Sequence, residues 1–362
     1  MTAAGAPPAP ARRRRVGLAC DADVRRRYVD GADLVRLQAA ADVTFGEFAV
    51  PTAPDGRPAG DPAAESALAG FVRDLDVLIV CHGSPLVSAA VLDAAPSLRM
   101  VGDLEGDRFG HRVDVAAAQR RGVRVVDTSH GSSYPTAEWA LGLALVGLRN
   151  AGASFRRAIA HQPFFTAWEQ RSGPGYDGAE LAGKPVGMIG FGHLARHLTT
   201  LLAPFGVDVR VFDPFARREL AEPYRVRFGP LRTVMEAAVV FVLVPHTPAT
   251  EGMLGATELG WLRPGAVLVN VSRGKVITSA ALLDRLRAGD VIACLDVYDP
   301  EPLPLDSPLL DLDNVFLTPH IAGVTAESRR RFFSLMVDEC LRHFGGYDPW
   351  SELTADTVRV PR

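Results

Sequence analysis

The chain has no apolar stretch long and unbroken enough to cross a bilayer as a helix, which takes about 20 such residues. No membrane partner is expected. Cysteine is scarce: there are four in 362 residues, Cys20, Cys81, Cys294 and Cys340, with no C-x-x-C pair and no metal-ligand spacing. No disulfide framework and no metal site are expected, and the pattern suits buried thiols in a reducing cytoplasm. Strong charge of either sign is also missing, the net being −3. Without a basic field, nucleic acid is not expected as a partner. No fixed-period repeat is present.

What remains is ordinary globular composition, 48% hydrophobic and 22% charged, in a chain long enough for two cores. It opens with MTAAGAPPAPARRRRV. The basic cluster Arg12–Arg15 precedes VGLAC, a short strand pattern rather than a signal-peptide core, and the acidic CDAD follows at once. The expectation is a disordered tail over residues 1–15 with a solvated charge run, and no secretory signal.

Short apolar, β-rich runs alternate with helical patterns. VGLAC (16–20), DVLIV (76–80), LRMVG (98–102) and VRVVD (123–127) read as strands. SAAVLDAAP and DVAAAQRRG between them read as short helices stopped by Pro96 and Gly122. TAEWALGLALVGLRN (136–150) is a helix apolar on most faces, with Glu138 in its first turn; such a helix is buried between domains or subunits. Residues 156–182, including RSGPGYDG, read as loop-rich. A second strand series follows: PVGMIG (185–190), VDVRVFD (207–213), VVFVLVP (239–245), AVLVNVS (266–272), VIACLDV (291–297) and NVFLTP (314–319). TSAALLDRLRAG and AESRRRFFSLMVDECLRHFGG read as helices closed by glycine. Alternating β and α elements predict an α/β fold with parallel sheets covered on both faces.

GKPVGMIGFGHLARHL (183–198) sets Gly190, Gly192 and Ala195 in the G-x-G-x-x-G/A positions, after a strand and before a helix. The first glycine allows the tight turn, the second lets backbone approach a pyrophosphate, and the small third residue lets helix and strand pack closely. The helix N-terminus offers N–H groups and a positive dipole to phosphate. The next strand ends at Asp213, where a carboxylate can accept hydrogen bonds from the adenosine ribose. It would repel the extra phosphate of NADP, although Arg217 and Arg218 follow closely and soften that preference. NAD is the expected cofactor.

Ligands of open α/β sheets bind beyond the carboxyl ends of strands. Three successive strands end in useful residues: AVLVNVSRG in Arg273, VIACLDVYDPEPLP in Asp296 and Glu301, NVFLTPHIAG in His320. Each alone suits a bland role, as a surface arginine, a dipole-compensating carboxylate or a loop histidine. Together they form a constellation.

With these segments in view, the chain resembles the D-isomer-specific 2-hydroxyacid dehydrogenase family. The resemblance rests on GKPVGMIGFGHLA, VPHTPATEGML, LRPGAVLVNVSRGKVI, LDVYDPEPLPLDSPL and NVFLTPHIAG, in the family's order, and spans roughly residues 75–345. It implies two Rossmann-like or flavodoxin-like domains. An NAD-binding domain (131–323) would be inserted into a discontinuous substrate domain (16–130 plus 324–362), with no room for the regulatory domain of longer phosphoglycerate dehydrogenases. It implies a homodimer to which helix 136–150 contributes. It implies that Arg273 holds the substrate carboxylate and polarises the C2 oxygen, that His320 exchanges the C2 hydroxyl proton, and that Glu301 orients His320 and favours its charged form. Cofactor contacts would come from Gly190, Gly192, His193, Leu194, Asp213, Pro245 and Thr247, with Asp296 meeting the nicotinamide carboxamide. Gly83 would join Arg273 at the substrate, a small-molecule 2-oxo or 2-hydroxy acid.

The chain departs from the family in one loop. Where members usually carry G-x-G-x-D-N-x-D, this chain reads GDLEGDRFGHRVD (102–114), with Asp107 and Phe109 at the usual glycine positions and Glu105, Arg108, His111 and Arg112 around them. Asp127 and Thr128 also replace residues frequent in the family. The expectation is a changed pocket for a larger or doubly anionic substrate contacted by Arg108. The alternative is that Arg108 pairs with Glu105 or Asp107 and only shapes the loop. Two other readings compete with an enzyme of this family: an NAD-sensing binding protein like the related transcriptional corepressors, and a Rossmann enzyme of another reaction class. The Arg273, Glu301, His320 order argues against the last.

Overall fold

The computed structural model describes residues 12–53, 57–106, 109–162 and 178–355. They fall into two compact units, one of residues 12–131 with 329–355 and one of residues 132–328.

The first unit holds β1 (Arg14–Cys20), β2 (Ala41–Glu47), β3 (Val77–Val80), β4 (Met100–Asp103) and β5 (Arg124–Asp127), all parallel in the order β5-β4-β3-β1-β2. This is the flavodoxin-like order, with its switch point between β3 and β1. A short antiparallel strand, Glu352–Leu353, extends the sheet beside β5. Helices α1 (Ala22–Tyr28), α2 (Gly31–Ala40), α3 (Pro62–Phe71), α4 (Ala89–Asp93) and α5 (Val115–Arg120) form the crossovers. Asp21, Asp61 and Asp114 cap α1, α3 and α5 through Val24 N, Ala64 N and Ala117 N, each worth about 1 kcal/mol. The long helix Ala326–Phe344 sends Phe332, Phe333, Met336 and Val337 into the core under β1, β3 and β4.

Two expectations change here. The basic cluster is not wholly a solvated tail: β1 starts at Arg14, and Arg12 donates to both Asp76 oxygens at 3.0 Å. Asp76 is 7% exposed and also accepts from Arg15 N, so the carboxylate draws the chain in before the apolar run begins. The strand β2, ADVTFGE, was not anticipated. As an edge strand it alternates partly buried and exposed residues over most of its length, without the apolar run that marks its neighbours.

The second unit begins with α6 (Ser133–Leu148) and α7 (Ala151–Ile159). Its elements then alternate: β6 (Pro185–Ile189), α8 (His193–Leu202), β7 (Asp208–Phe212), β8 (Arg227–Phe228), α9 (Leu231–Met235), β9 (Val239–Val242), α10 (Ala256–Leu259), β10 (Val267–Asn270), α11 (Ser279–Arg287), β11 (Ile292–Leu295) and β12 (Val315–Leu317). The seven parallel strands run β12-β11-β10-β9-β6-β7-β8, the doubly wound order of dinucleotide-binding sheets, with the switch point between β6 and β9. β9, β10 and β11 are buried at every residue because helices cover both faces. Helix α6 starts at Ser133, so Glu138 lies past its first turn. Helix α7 reaches into the stretch expected to be loop, because Asn150 turns in the left-handed region (φ 43°) and starts a new helix at once. Most of RSGPGYDG lies outside the described residues.

No described helix is long and apolar enough to cross a membrane. All four cysteines are buried thiols, and burial pushes Cys20 up to about 11 and Cys294 up to about 12, which leaves them unreactive.

Two glycines of α6 separate helix propensity from packing. A Cβ on Gly147 would lie 2.5 Å from Val267 Cγ1 and 3.0 Å from Cys294 Sγ, whereas one on Gly142 meets only Trp139 at 3.9 Å. Glycine costs a helix about 1 kcal/mol relative to alanine, and overpacking a core costs about 1–3 kcal/mol. Gly142→Ala should therefore raise the denaturation midpoint and Gly147→Ala should lower it. A rise for both, measured by urea unfolding, would place α6 less tightly on β10 and β11 than described.

Candidate active site

The second unit gathers its polar loops along the carboxyl edge of one sheet. Gly190 leaves β6 at φ 98°, and a Cβ there would lie 2.9 Å from Val244 Cγ1 and 3.1 Å from Leu243 C and O. Only glycine makes this turn without strain. Gly192 is the N-cap of α8, with no side-chain cap, and the position of its missing Cβ is open within 4 Å. His193 and Leu194 start the helix, and Ala195, wholly buried, lets α8 lie close on the sheet. An uncapped helix N-terminus behind an open glycine fits a pyrophosphate. Asp213, half-buried at the end of β7, accepts from Phe191 N at 2.8 Å through one oxygen. Its other oxygen accepts from Phe215 N and Ala216 N. The carboxylate thus ties the glycine loop to its own turn. After β9, Pro245 O accepts from the Thr250 hydroxyl, and the buried Thr247 donates its N–H to that same hydroxyl. These residues fit NAD.

Arg273 follows β10. The buried Asn270 side chain accepts from Ser272 N and Oγ and donates to Arg273 O, which fixes the turn. Asn270 was not singled out from sequence; within an apolar strand it reads only as a polar end residue. Gly274 lets this turn approach the next one, since a Cβ would fall 2.0 Å from Tyr298 C.

His320 and Glu301 meet, with Nδ1 2.6 Å from Glu301 Oε1. The Glu301 hydrogen bond raises the His320 pKa; burial opposes it, the Glu301 charge reinforces it, Arg273 opposes it and Asp296 adds to it. His320 sits at φ 52°, a conformation that costs a non-glycine residue about 1–3 kcal/mol and persists where the surroundings enforce it.

Asp296, expected to meet the nicotinamide carboxamide, provides the enforcement. It is wholly buried. One oxygen accepts from Thr318 Oγ1 at 2.5 Å and Ile321 N at 3.0 Å, and the other accepts from Ala322 N at 2.9 Å. His320 N donates to Asp296 O at 2.9 Å. The donors bracket the histidine on both sides, and a carboxylate withdrawn from water needs them all.

In the first unit Gly83 follows β3 at φ 84°, where a Cβ would lie 2.5 Å from Phe48 O and 2.6 Å from Asp21 N. In the loop after β4, Arg108 and Asp107 lie outside the described residues. Arg112 is drawn inside: it pairs with Asp103 at 3.3 Å, donates to Glu105 O at 2.6 Å and approaches His82 Nδ1 at 2.8 Å. Burial raises the Asp103 pKa against the pull of Arg112. Tyr28 donates to Glu105 Oε2 at 2.6 Å, and His82 Nε2 lies 3.3 Å from that oxygen. Cys81, His82 and Glu105 come within ligand reach of one another, but they do not suit a cation. An arginine can only donate, so His82 Nδ1 accepts and the ring proton sits on Nε2. Burial also holds the Cys81 thiol well above its ordinary pKa.

The family model of the D-isomer specific 2-hydroxyacid dehydrogenase NAD-binding domain matches residues 141–322. A glyoxylate reductase of Korarchaeum cryptofilum is 30% identical over 302 residues, 83% of this chain and 89% of its own. A D-3-phosphoglycerate dehydrogenase of Archaeoglobus fulgidus is 34% identical over 256 residues, 69% of this chain and 46% of its own. The chain thus spans about half the length of the phosphoglycerate dehydrogenases it matches. The D-mandelate dehydrogenase of Rhodotorula graminis, 22% identical, superposes with a TM-score of 0.76 over 94% of this chain and 97% of its own, a likeness of fold.

The two fingerprint glycines differ in what they tolerate. Gly192→Ala should keep the parent melting temperature and weaken NADH binding at least about tenfold, roughly 1.4 kcal/mol, because the methyl fills the cradle. Gly190→Ala should lose stability as well. NADH affinity unchanged in Gly192→Ala, by fluorescence titration, would place the pyrophosphate elsewhere.

Proposed function

Since this chain belongs to the D-isomer specific 2-hydroxyacid dehydrogenase family, we propose that it interconverts a 2-oxo acid and a D-2-hydroxy acid, using NAD. The observation that carries the reading is the 2.6 Å pair of His320 and Glu301 at the sheet edge that also bears Arg273 and the glycine turn. NAD, once bound, would supply or accept the hydride through its nicotinamide. Arg273 holds the substrate carboxylate, as a planar fork of donors suits, and draws electron density from the C2 oxygen. His320, charged on a ring held by Glu301, gives its outward Nε2 proton to that oxygen during reduction and takes it back in oxidation. Asp213 at the ribose gives NADH the advantage over NADPH. A homodimer using α6, where Leu145 and Tyr134 are exposed, and a cytoplasmic location belong to the same proposal. The relatives that match are dehydrogenases and reductases, which favours the enzyme over an NAD-sensing binding protein.

Reduction needs protonated His320. With its pKa raised, the charged form persists above the usual histidine range. Reduction should hold at low pH and fall as pH rises through the raised value; oxidation should do the reverse. His320→Ala should lower turnover by about two to four orders of magnitude and leave NADH binding in place. Glu301→Gln should move the basic limb of reduction downward, because a neutral partner no longer favours the imidazolium. Parent-like turnover in His320→Ala, followed by NADH absorbance, would remove the assignment.

The substrate we propose is larger than a minimal 2-oxo acid. Phe109, at one of the two positions where the family usually keeps glycine, is half-exposed, as is Glu105 in the same loop. Arg112 is committed to Asp103 and the loop backbone, so recognition of a second anionic group falls to Arg108. A panel of 2-oxo acids, short, bulky, phosphorylated and phosphonate-bearing, run with Arg108→Ala tests this. A selective loss on the best doubly anionic substrate supports the contact; a uniform loss, or none, leaves Arg108 a loop-shaping residue.

A further inference from the structure

The turn that presents His320 is anchored through a chain of side chains outside the proposed catalytic trio. The Thr318 hydroxyl lies 2.5 Å from Asp296 Oδ1 and 3.3 Å from Trp139 Nε1. The chemistry fixes its direction. An ionised carboxylate only accepts and an indole N–H only donates. Thr318 must therefore give its single proton to Asp296 and accept from Trp139. Thr318 is 9% exposed and Asp296 wholly buried, so water does not replace either bond. The Thr318 carbonyl is held as well, by the Tyr298 hydroxyl at 3.2 Å and by His320 N at 3.0 Å. Trp139 comes from α6, packed on β10 and β11 by the same core that supports the site.

We propose that Thr318 and Trp139 are positioning residues for His320: the line Trp139 Nε1–H to Thr318 Oγ1–H to Asp296 clamps the turn that presents the imidazole to Glu301. The inference rests on the reading of His320 as the proton carrier. It assigns Asp296 to the backbone of the turn, with Thr318 as the side-chain donor that completes its shell. Removing the hydroxyl leaves that oxygen with Ile321 N as its one remaining donor of the pair. Less of the Asp296 charge is then spent on hydrogen bonds, and more of its field reaches His320. The other charged groups whose fields His320 feels are Glu301 on the loop after β11 and Arg273 on the loop after β10. Neither touches Thr318, so both stay constant in the comparison.

The test uses the whole chain with NADH and the best 2-oxo acid of the panel. Thr318→Val, close in shape but without a hydroxyl, should lower kcat about tenfold. It should also move the basic limb of reduction upward by about half a pH unit or more, with KM for NADH unchanged. Thr318→Ser keeps the hydroxyl and should return the parent profile. Trp139→Phe keeps the ring packing and removes only the donor to Thr318; it should move the limb in the same direction by less. Asp296→Asn, which removes the charge itself, should move it downward. A fall in kcat with the limb unmoved in both Thr318→Val and Trp139→Phe would make the line merely structural and overturn the proposal. Should Thr318→Val fail to fold, the limb of Trp139→Phe decides alone. Parent-like turnover in His320→Ala is a different outcome: it removes the proton carrier itself, and this inference with it.

Discussion

Parallel pairing is the constraint from which the rest follows. Strands that all run one way deliver every following loop to one edge, and their helices must then cover both faces. The covering forces continuous apolar strands such as VVFV and IACL. The shared edge forces Gly190, Asp213, Arg273, Asp296 and His320, far apart in sequence, into one row of loops. Chemistry at that edge is a by-product of topology. No local signal in NVFLTPHIAG says that its histidine will meet the glutamate of LDVYDPEPLP; neighbouring parallel strands say so.

Along that row, backbone demands consume side chains that look functional. Asp213 ties the glycine turn to its own strand end, Asn270 pins the turn of Arg273, and Asp296 gathers N–H groups around His320. Each polar group sits where a parallel strand stops and its donors and acceptors lose their ladder partners. A buried carboxylate there is costly alone and stable with three donors. Arg112 follows the same logic in the first unit: a residue that reads as a surface cation is 3% exposed, because Asp103 and the Glu105 carbonyl are inside with it.

Much of this was legible in the sequence, and the limits have physical causes. Central strands announce themselves by apolar runs, and the glycine fingerprint announces its turn by a conformation that other residues avoid. Edge strands carry no such mark: β2 alternates, and Glu352–Leu353 is two residues long. Strand ends could be read, which placed Arg273, Glu301 and His320 together. The direction of a side chain could not: nothing in LDVYDPEPLP shows that Asp296 gathers Thr318, Ile321 and Ala322 around itself. The Trp139–Thr318 bond spans 179 residues of sequence, and only the packing of α6 on its sheet brings it about.

The left-handed backbone at His320 shows how these levels meet. Glycine would adopt φ 52° without strain, but glycine carries no proton. A histidine there must be held, and the holding needs an acceptor beneath the turn with donors on either side of it. Asp296 is that acceptor because β11 ends beside β12. The same carboxylate would disturb the histidine it supports if its charge were unspent, since its field adds to that of Glu301. Spending that charge on Thr318, Ile321 and Ala322 lets one buried group fix the geometry while the half-exposed Glu301, through its direct hydrogen bond, exerts the largest influence on the proton. Support and titration are thereby divided between two carboxylates that follow the same strand.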